Sequence, residues 1–483
     1  DAWCRDGICA PRKLELGQVA FERVAIPGLD DHASQWPLVD CCGCVFCNAV
    51  EGFGGALLDK DGDLDLDLFV GGRVTGQGAA EACTYTNESV DRHRLGRDQC
   101  DAELVGATSG LATDFDQDGV HELLALGPGI VRLSSAGQWT DLIGLLEEDD
   151  PRRACVASGA VVTDLDLDGR LDLYVGCQLA RVTGCCNDDP AGWENLGFFQ
   201  RGSDVWEVAS GSPWEVLEDP GVTLAVGQHD VNGDGLLDLL LANDTFNMLG
   251  DPSNSYFPGS VLMRCAPDEP CQYRRVEFGL GNDAWGSFMG FGAVVVDGFG
   301  EHIYISDWGT NRLVQFTDDV PAESSVERGA DLTAIEGGIH FGWGVVVDDF
   351  DRNGLDDIYV AQGASWPGPP PEAPAQNDEV LLQTAGGQFE RFKADEVGLA
   401  LHSQDDARTS GSFIGPQTYS SRGAVRADVD SDGRMELWTG GLAGVLRVQE
   451  EIGPVDATEP PRCTLVPRAS VVPGFGSGFS VSG

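Results

Sequence analysis

The feature that most constrains this chain is a short acidic pattern that runs directly into a strand and recurs along the sequence. In TDLDLDGRLDLYVG, residues 163–176, aspartates stand at positions 1, 3, 5 and 9 of a loop that begins at Asp164, and Gly169 stands at position 6. The apolar residues Leu173, Tyr174 and Val175 follow at once. Carboxylates this close repel one another, so ionising all of them is costly unless positive charge lies among them. The pattern therefore predicts a turn that attracts cations.

Six copies of the loop share this register. Each is named below by its first residue, and each carries oxygen-bearing side chains at positions 1, 3, 5 and 9. These are Asp59, Asp61, Asp63 and Asp67; Asp114, Asp116, Asp118 and Glu122; Asp164, Asp166, Asp168 and Asp172; Asp230, Asn232, Asp234 and Asp238; Asp349, Asp351, Asn353 and Asp357; and Asp428, Asp430, Asp432 and Glu436. Position 6 is glycine except in the Asp59 loop, where Leu64 replaces it. A seventh copy, at Asp297, keeps the flanking strands but lacks the acidic series.

The segments around the loops repeat as well. A small apolar stretch precedes each loop and an apolar stretch follows it, so each unit is predicted to be strand, acidic turn, strand. Seven such units cannot bury their faces alone, whereas stacking them around an axis buries a continuous core. We therefore predict an all-β fold, a seven-bladed β-propeller with DxDxDG calcium-binding loops. A linear β-solenoid is the structural alternative, although its repeats are usually much shorter.

The ends of the repeat region predict how such a ring closes. FERVAIPGL at residues 21–29 resembles YRRVEFGL at residues 273–280 and FERFKADEVGL at residues 389–399, which both precede a loop unit. The N-terminal strand is therefore predicted to complete the blade that ends the chain. This divides the chain into a cysteine-containing segment at 1–20, the propeller at 21–450, and a linker with a tail strand at 451–483.

The loop chemistry favours calcium. Alternating oxygen donors followed by a turn-permitting glycine are typical of calcium loops, and Ca²⁺ takes about 6 to 8 oxygen ligands. Position 9 would close each site from the start of the next strand, whereas an EF-hand closes with a glutamate at position 12 on a helix. The main-chain carbonyl at position 7 would add one ligand, from Asp65, Val120, Arg170, Leu236, Leu355 or Arg434. About six Ca²⁺ sites are expected, and none at Asp297.

Calcium has three alternatives in these loops. Magnesium demands stricter octahedral geometry and keeps more of its waters. Zinc prefers His and Cys ligands, which are absent from the loops apart from His121 and His229. Solvated acidic turns without any metal are the remaining alternative, and the shared register of six loops disfavours them.

The formal net charge of −49 restricts the partners. It argues against nucleic acid and anionic membranes and favours cations. Hydrophobic residues make up 42% of the chain, enough for a substantial core. No segment reaches the roughly 20 uninterrupted apolar residues of a membrane span. The chain begins at Asp1 without a visible signal peptide, which fits a processed secreted or surface protein, or one with trimmed ends.

The 15 cysteines favour an oxidising compartment. Local disulfides are predicted for Cys4–Cys9, Cys83–Cys100 and Cys265–Cys271, and a further group comprises Cys155, Cys177, Cys185 and Cys186. CCGCVFC, with Cys41, Cys42, Cys44 and Cys47, fits a disulfide knot better than a zinc or iron–sulfur site, because it has no second CxxC. Two glycosylation sequons begin at Asn87 and Asn243, and their use is left open.

The loops and their flanks resemble those of FG-GAP/VCBS repeat proteins, which share the calcium-loop propeller of integrin α chains. ANDTFNML at 242–249, SDWGTNRLVQF at 306–316 and GQFERFKADEVGL at 387–399 are similar to segments of proteins with ASPIC and UnbV domains. The resemblance covers roughly residues 20–450. It implies a calcium-stabilised propeller that serves adhesion or binding, without the inserted domain that metal-dependent ligand binding by integrins requires.

Three functions from different classes follow. The first is a secreted, non-enzymatic scaffold for adhesion or for binding a protein or glycan ligand. The second is a self-assembling subunit of an extracellular fibre, whose tail at 463–483 adds a strand to a neighbouring copy instead of packing on its own propeller. The third is a propeller enzyme. It ranks last because the chain contains no HExxH, GxSxG or P-loop motif.

Overall fold

A computed structural model describes the greater part of the chain. The described residues are 2–5, 8–11, 21–24, 55–63, 65–71, 74–75, 78–79, 82–87, 95–116, 120–135, 137–178, 194–202, 204–243, 259–267, 269–278, 288–307, 309–317, 319–331, 342–363, 378–393, 421–429, 435–441, 446–451 and 479–481. Strands account for 59% of the structure and helices for 7%. The predicted all-β class is therefore confirmed.

The strands follow one another along the chain with few helices between them. They are β1 (Ala2–Arg5), β2 (Ile8–Pro11), β3 (Phe21–Val24), β4 (Gly55–Leu58), β5 (Asp67–Val70), β6 (Val74–Thr75), β7 (Gly78–Ala79), β8 (Ala82–Asn87), β9 (Leu95–Asp101), β10 (Ser109–Thr113), β11 (Glu122–Gly127), β12 (Ile130–Ser135), β13 (Gln138–Asp141), β14 (Val156–Thr163), β15 (Asp172–Gln178), β16 (Leu196–Gly202), β17 (Val205–Ala209), β18 (Thr223–His229), β19 (Asp238–Asn243), β20 (Ser260–Arg264), β21 (Tyr273–Glu277), β22 (Phe288–Val296), β23 (Gly300–Asp307), β24 (Arg312–Thr317), β25 (Val320–Glu323), β26 (Gly342–Asp348), β27 (Asp357–Gln362), β28 (Glu379–Thr384), β29 (Gln388–Lys393), β30 (Ser421–Ala427), β31 (Glu436–Gly441), β32 (Leu446–Glu451) and β33 (Phe479–Val481).

Helices are short. One α-helix spans Ser325–Arg328, and 3₁₀ helices span Ala102–Leu104, Ile143–Leu145, Pro151–Ala154 and Glu215–Leu217. No helix in the described ranges has the length and hydropathy needed to cross a membrane.

The strands form seven larger sheets in chain order, here called sheets 1 to 7. Sheet 1 has the order β33-β4-β5-β8-β9; sheets 2 to 6 are β10–β13, β14–β17, β18–β21, β22–β25 and β26–β29; and sheet 7 has the order β3-β32-β31-β30. Two smaller sheets, β1-β2 and β6-β7, complete the described strands. Within sheets 2 to 7 every pairing is antiparallel.

Each acidic loop joins the first two strands of its unit in one shared register. The residue before position 1 lies opposite the residue at position 9, as in Thr163↔Asp172 and Asp348↔Asp357. The same pairing holds for the other four loops. Second strands such as β11 (ELLALG) are buried along their whole length, because strands flank them on both sides and sheets cover both of their faces. These strands therefore read as continuous apolar runs.

The core lies between consecutive sheets. Neighbouring sheets from 1 to 6 share apolar clusters, which pair Phe69 with Leu123 (sheets 1 and 2), Leu124 with Phe198 (2 and 3), Tyr174 with Leu241 (3 and 4), Met263 with Phe291 (4 and 5), and Tyr304 with Leu381 (5 and 6). Strands β26 and β27 of sheet 6 contact β30 of sheet 7. Trp438 of sheet 7 shares a cluster with Tyr85 of sheet 1, so the order of neighbours returns to its starting point.

The two ends of the chain add strands to sheets that lie far away in sequence. β3 pairs antiparallel with β32, with Val24 opposite Val448, and so becomes the outer strand of sheet 7. β33 pairs parallel with β4, with Phe479 opposite Gly55, and so becomes a strand of sheet 1. The described part of the tail thus packs on its own chain.

Three disulfides lie within the described residues. Cys83–Cys100 and Cys265–Cys271 confirm two of the predicted pairs, and Cys155–Cys177 resolves part of the third group. In the β1-β2 pair, Cys4 lies opposite Cys9 along the backbone. The remaining members of that group, Cys185 and Cys186, and the CCGCVFC segment lie outside the described residues.

Candidate metal centres

The aspartate at position 1 organises the turn in the Asp164, Asp230 and Asp349 loops. In the Asp164 loop the side chain of Asp164 accepts the backbone N–H groups of Asp168 (3.0 Å) and Gly169 (2.9 Å). Asp230 accepts those of Asp234 (3.0 Å) and Gly235 (2.8 Å) in the same way. The aspartate at position 1 therefore satisfies backbone donors that a tight turn leaves without intrastrand partners.

Two positions of the loop adopt left-handed backbone conformations. Position 6 has φ values of 87°, 87° and 86° at Gly169, Gly235 and Gly354, where glycine adopts this conformation without strain. Position 4 is also left-handed, with φ 61° at Leu167 and 57° at Arg352. Position 4 is glycine in two other loops, where Gly62 and Gly233 have φ 78° and 75°. The sequence pattern identified position 6 through its glycine and missed position 4, where leucine and arginine usually disfavour this region.

The carboxylate at position 9 is buried between its loop and the third strand of its sheet. Asp172 is fully buried. Its Oδ2 accepts the backbone N–H of Leu165 at position 2 (2.8 Å), and its Oδ1 accepts the backbone N–H of Gln200 in β16 (2.8 Å). The same two bonds recur at Asp67, Asp238 and Asp357. Glu122 and Glu436 likewise accept the position-2 N–H.

Burial makes the ionised form of these side chains expensive. It raises the pKa of Asp172 to about 7, that of Asp238 to about 6 and that of Asp357 to about 8, against an ordinary value of 3.8. Neighbouring loop carboxylates add to each shift, and the two accepted N–H bonds oppose it. A cation near position 9 would favour the ionised form.

Four loops bring three carboxylates within reach of one ion. In each of these loops, ligand oxygens of three acidic residues lie within 4.8 Å of one another. The groups are Asp59, Asp61 and Asp63; Asp114, Asp116 and Glu122; Asp164, Asp166 and Asp172; and Asp349, Asp351 and Asp357. Hard oxygen donors without nitrogen or sulfur suit Ca²⁺ or Mg²⁺.

The Asp59 loop offers one further donor. Asp65, at position 7, has a buried Oδ1 with no hydrogen-bond partner among the described atoms. Burial, together with the charge of Asp63, raises the pKa of Asp65 to about 6. An oxygen that lacks a donor beside three other carboxylates is compatible with a cation ligand.

The Asp230 loop differs because an amide stands at position 3. Asn232 donates through Nδ2 to Asp234 (3.0 Å) and to Asp319 of the β24–β25 turn (2.8 Å), and Arg274 also donates to Asp319. Within the described residues this loop forms no group of three clustered carboxylates. Its side chains are thus partly held by neighbours from sheets 4 and 5.

At the Asp297 turn, protein groups link the hairpin to the next sheet. The backbone N–H of Asp297 donates to Gln383 Oε1 (2.6 Å), and Asp297 Oδ2 accepts the N–H of Gly386 (2.7 Å). Gln383 Nε2 also donates to the carbonyl of Val295 (3.0 Å). Sheet 6 therefore holds this turn by direct hydrogen bonds.

Several predicted site residues lie outside the described ranges. They are Leu64, Asp118, Gly119, Asp430, Asp432, Gly433 and Arg434. The position-7 residues Asp65, Val120, Arg170, Leu236 and Leu355 all lie in the turns that precede the second strands.

The side chains of both sequon asparagines are buried and form hydrogen bonds within the protein. Asn87 is 4% exposed, and its Nδ2 donates to the carbonyl of Val429 (2.9 Å). Asn243 is fully buried, its Nδ2 donates to Asp219, and its Oδ1 accepts from Thr223. These amides serve as internal hydrogen-bonding groups of the fold, so a glycan on either nitrogen is incompatible with this structure.

The comparisons with known proteins name no family. No family model and no curated protein matches the chain. Among solved structures, an Agrocybe aegerita lectin that recognises non-reducing terminal N-acetylglucosamine is similar at a TM-score of 0.41 and 11% identity, over 72% of this chain and 81% of that chain. A TM-score under 0.5 does not establish a shared fold. The resemblance to FG-GAP/VCBS repeat proteins stays a prediction.

Proposed function

We propose that the chain is a seven-bladed β-propeller whose acidic loops bind Ca²⁺, and that it acts as a secreted, non-enzymatic scaffold for a protein or glycan ligand. The observation that carries the proposal is the recurrence of one carboxylate arrangement at the same hairpin of successive sheets. Asp59, Asp164 and Asp349 each begin a loop with three clustered carboxylates. The repetition favours a structural cation over a single active site, which would be expected to occur once.

The closed order of sheet contacts supports the propeller. Apolar clusters join neighbouring sheets, and Trp438 and Tyr85 join sheet 7 to sheet 1. Strands β3 and β33 cross between the two ends of the chain and tie sheets 7 and 1 to distant segments. Closure of this kind buries the outer faces of the first and last sheets, which an open row would leave exposed.

The loop residues would supply the ligands of the ion. Positions 1, 3 and 9 provide carboxylate oxygens in the Asp114, Asp164 and Asp349 loops, and positions 1, 3 and 5 provide them in the Asp59 loop. Bound Ca²⁺ would neutralise these carboxylates and stabilise the folded state by mass action. The chain's own groups hold the turn in shape through the N–H bonds to positions 1 and 9.

A non-enzymatic role is favoured by the location of the perturbed acids. Raised carboxylate pKa values often mark catalytic sites. Here the raised pKa values of Asp172, Asp238 and Asp357 recur at the same place in three sheets, where each carboxylate accepts backbone N–H groups. Three disulfides are compatible with a secreted protein.

Calorimetric titration of calcium-free protein with Ca²⁺, combined with single-particle images, tests the proposal. We expect several equivalents of Ca²⁺ to bind, a higher melting temperature in Ca²⁺ than in chelator, and ring-shaped particles. Melting curves that coincide in Ca²⁺ and in chelator would contradict the metal assignment. A glycan array and a panel of extracellular proteins, probed with and without Ca²⁺, test ligand binding. Turnover abolished by one substitution outside the loops would contradict the non-enzymatic role.

A further inference from the structure

Arg264, the last residue of β20, links two acidic loops. Its backbone N–H donates to Asp238 Oδ1 of its own sheet (2.8 Å). Its Nη1 donates to the main-chain carbonyl of Asp164, position 1 of the loop in sheet 3 (3.1 Å). The side chain is 4% exposed and stacks on the ring of Tyr273, with 4.8 Å from Cζ to the ring centroid. Burial and stacking therefore fix the direction of this contact.

The contact continues into the Asp164 loop through a single peptide group. The carbonyl of Asp164 and the N–H of Leu165 belong to the same peptide unit. The first accepts from Arg264, and the second donates to Asp172 Oδ2 (2.8 Å). Hydrogen bonds connected through one peptide polarise each other. A continuous chain of hydrogen bonds, joined through Arg264 and this peptide group, thus runs from Asp238 of sheet 4 to Asp172 of sheet 3.

Related links between neighbouring sheets, without the shared peptide group, are made by other side chains. Asn87, the last residue of β8, donates its N–H to Asp67 and its Nδ2 to the carbonyl of Val429, whose own N–H donates to Glu436. Gln383 of β28 donates its N–H to Asp357 and bonds the Asp297 turn of sheet 5 through its amide. In three places, then, the residue that anchors position 9 of one sheet also holds the loop of the preceding sheet.

We infer that Arg264 is a positioning residue for the cation site of the Asp164 loop, so that this site is built by two adjacent sheets and not by one hairpin. The inference rests on the proposed function, because it presumes that the loop binds Ca²⁺. Arg264 touches a carbonyl and not a ligand carboxylate of that loop, so it acts by orienting the peptide that carries position 1. Asn87 contacts the Asp428 loop one residue further along, at the carbonyl of Val429 in position 2.

Calcium titration of four proteins tests the inference: wild type, Arg264→Met, Arg264→Gln and Arg275→Met. Removing a group that orients metal ligands typically lowers metal affinity by about 10-fold to 100-fold. We expect Arg264→Met to weaken one Ca²⁺ site by about 10-fold or more. If only charge mattered, removing the Arg264 guanidinium would strengthen Ca²⁺ binding. A decrease in Ca²⁺ affinity therefore indicates positioning, and an increase indicates electrostatic repulsion. Glutamine stands at the matching place in sheets 3 and 6, as Gln200 and Gln383, so Arg264→Gln should restore part of the affinity.

Arg275→Met is the matched control. Arg275 is a half-buried arginine of sheet 4 that pairs with buried Asp219. Equal loss of affinity in Arg264→Met and Arg275→Met would overturn the inference, as would unchanged or tighter binding in Arg264→Met. In an Asp166→Ala background, which removes a ligand of the Asp164 loop, Arg264→Met should have no further effect on Ca²⁺ binding; a full additional loss would also overturn it. Absence of Ca²⁺ binding by the wild type would instead overturn the proposed function itself.

Discussion

The calcium-free protein is expected to lose stability as the pH rises from about 5 to about 8. Asp172 and Asp357 are fully buried, and burial raises their pKa values to about 7 and about 8. Folded protein therefore keeps protons that the unfolded chain, with carboxyl pKa values near 3.8, has already released. Because the folded state binds more protons in this window, its stability falls as the pH rises.

Asp172 sets the scale of the effect. One pKa unit corresponds to about 1.4 kcal/mol, so ionising Asp172 in the folded protein costs on the order of 4 kcal/mol. Net stabilities of domains are about 5–15 kcal/mol. Ionising several such carboxylates at once would therefore remove much of the free energy of unfolding. The stabilisation by bound Ca²⁺ has the opposite pH dependence, because the affinity for Ca²⁺ rises as the ligand carboxylates lose protons.

The assay is thermal and urea unfolding of chelator-treated, dialysed protein from about pH 5 to about pH 8, with and without saturating Ca²⁺. Without Ca²⁺ the midpoints should decrease with pH, whereas with Ca²⁺ they should hold or increase, so the difference widens. Asp172→Asn together with Asp357→Asn removes two titrating groups and should flatten the calcium-free profile. A calcium-free midpoint that stays constant or rises across this range would refute the link between buried carboxylates and cation binding.

Three further outcomes are expected. Trp438→Ala should lower the free energy of unfolding by about 3–5 kcal/mol in urea titrations, because it opens the contact between sheets 7 and 1; a loss below about 1 kcal/mol would contradict that packing. Gln383→Ala should lower the melting temperature both with and without Ca²⁺, because its amide bonds the Asp297 turn as well as the carbonyl of Asp356 in the Asp349 loop; an effect confined to the Ca²⁺-bound protein would count against this. When the protein is expressed in a glycosylating host, mass spectrometry of the Asn243 peptide should show no added glycan mass, since the Asn243 amide is buried. A glycopeptide recovered from folded protein would contradict this.

The hairpins could be predicted from sequence because their signals are local. Asp164, Gly169 and Asp172 lie within nine residues, and the apolar run of β15 follows them directly, so both the turn and its strands are encoded in one window. The contact of Gln200 with Asp172 carries no such signal. It uses a backbone N–H, which every residue except proline can offer, and the partner lies 28 residues away. Arg264, Asn87 and Gln383 fill similar roles with three different side chains, so no residue pattern marks them.

In the Asp164 loop, the crowded carboxylates are stabilised by arginine side chains at one end and by backbone N–H groups at the other. Asp166 and Asp168 lie at the solvent end, where Arg201 pairs with both and Arg170 pairs with Asp168. Although desolvation raises the pKa of Asp168, hydrogen bonds from Arg170 hold it below its usual value. Asp172 lies at the buried end, where backbone N–H groups are its donors and its pKa is raised. The demand for positive charge is therefore greatest where the loop meets the strand, and a cation bound there would join the turn to the sheet.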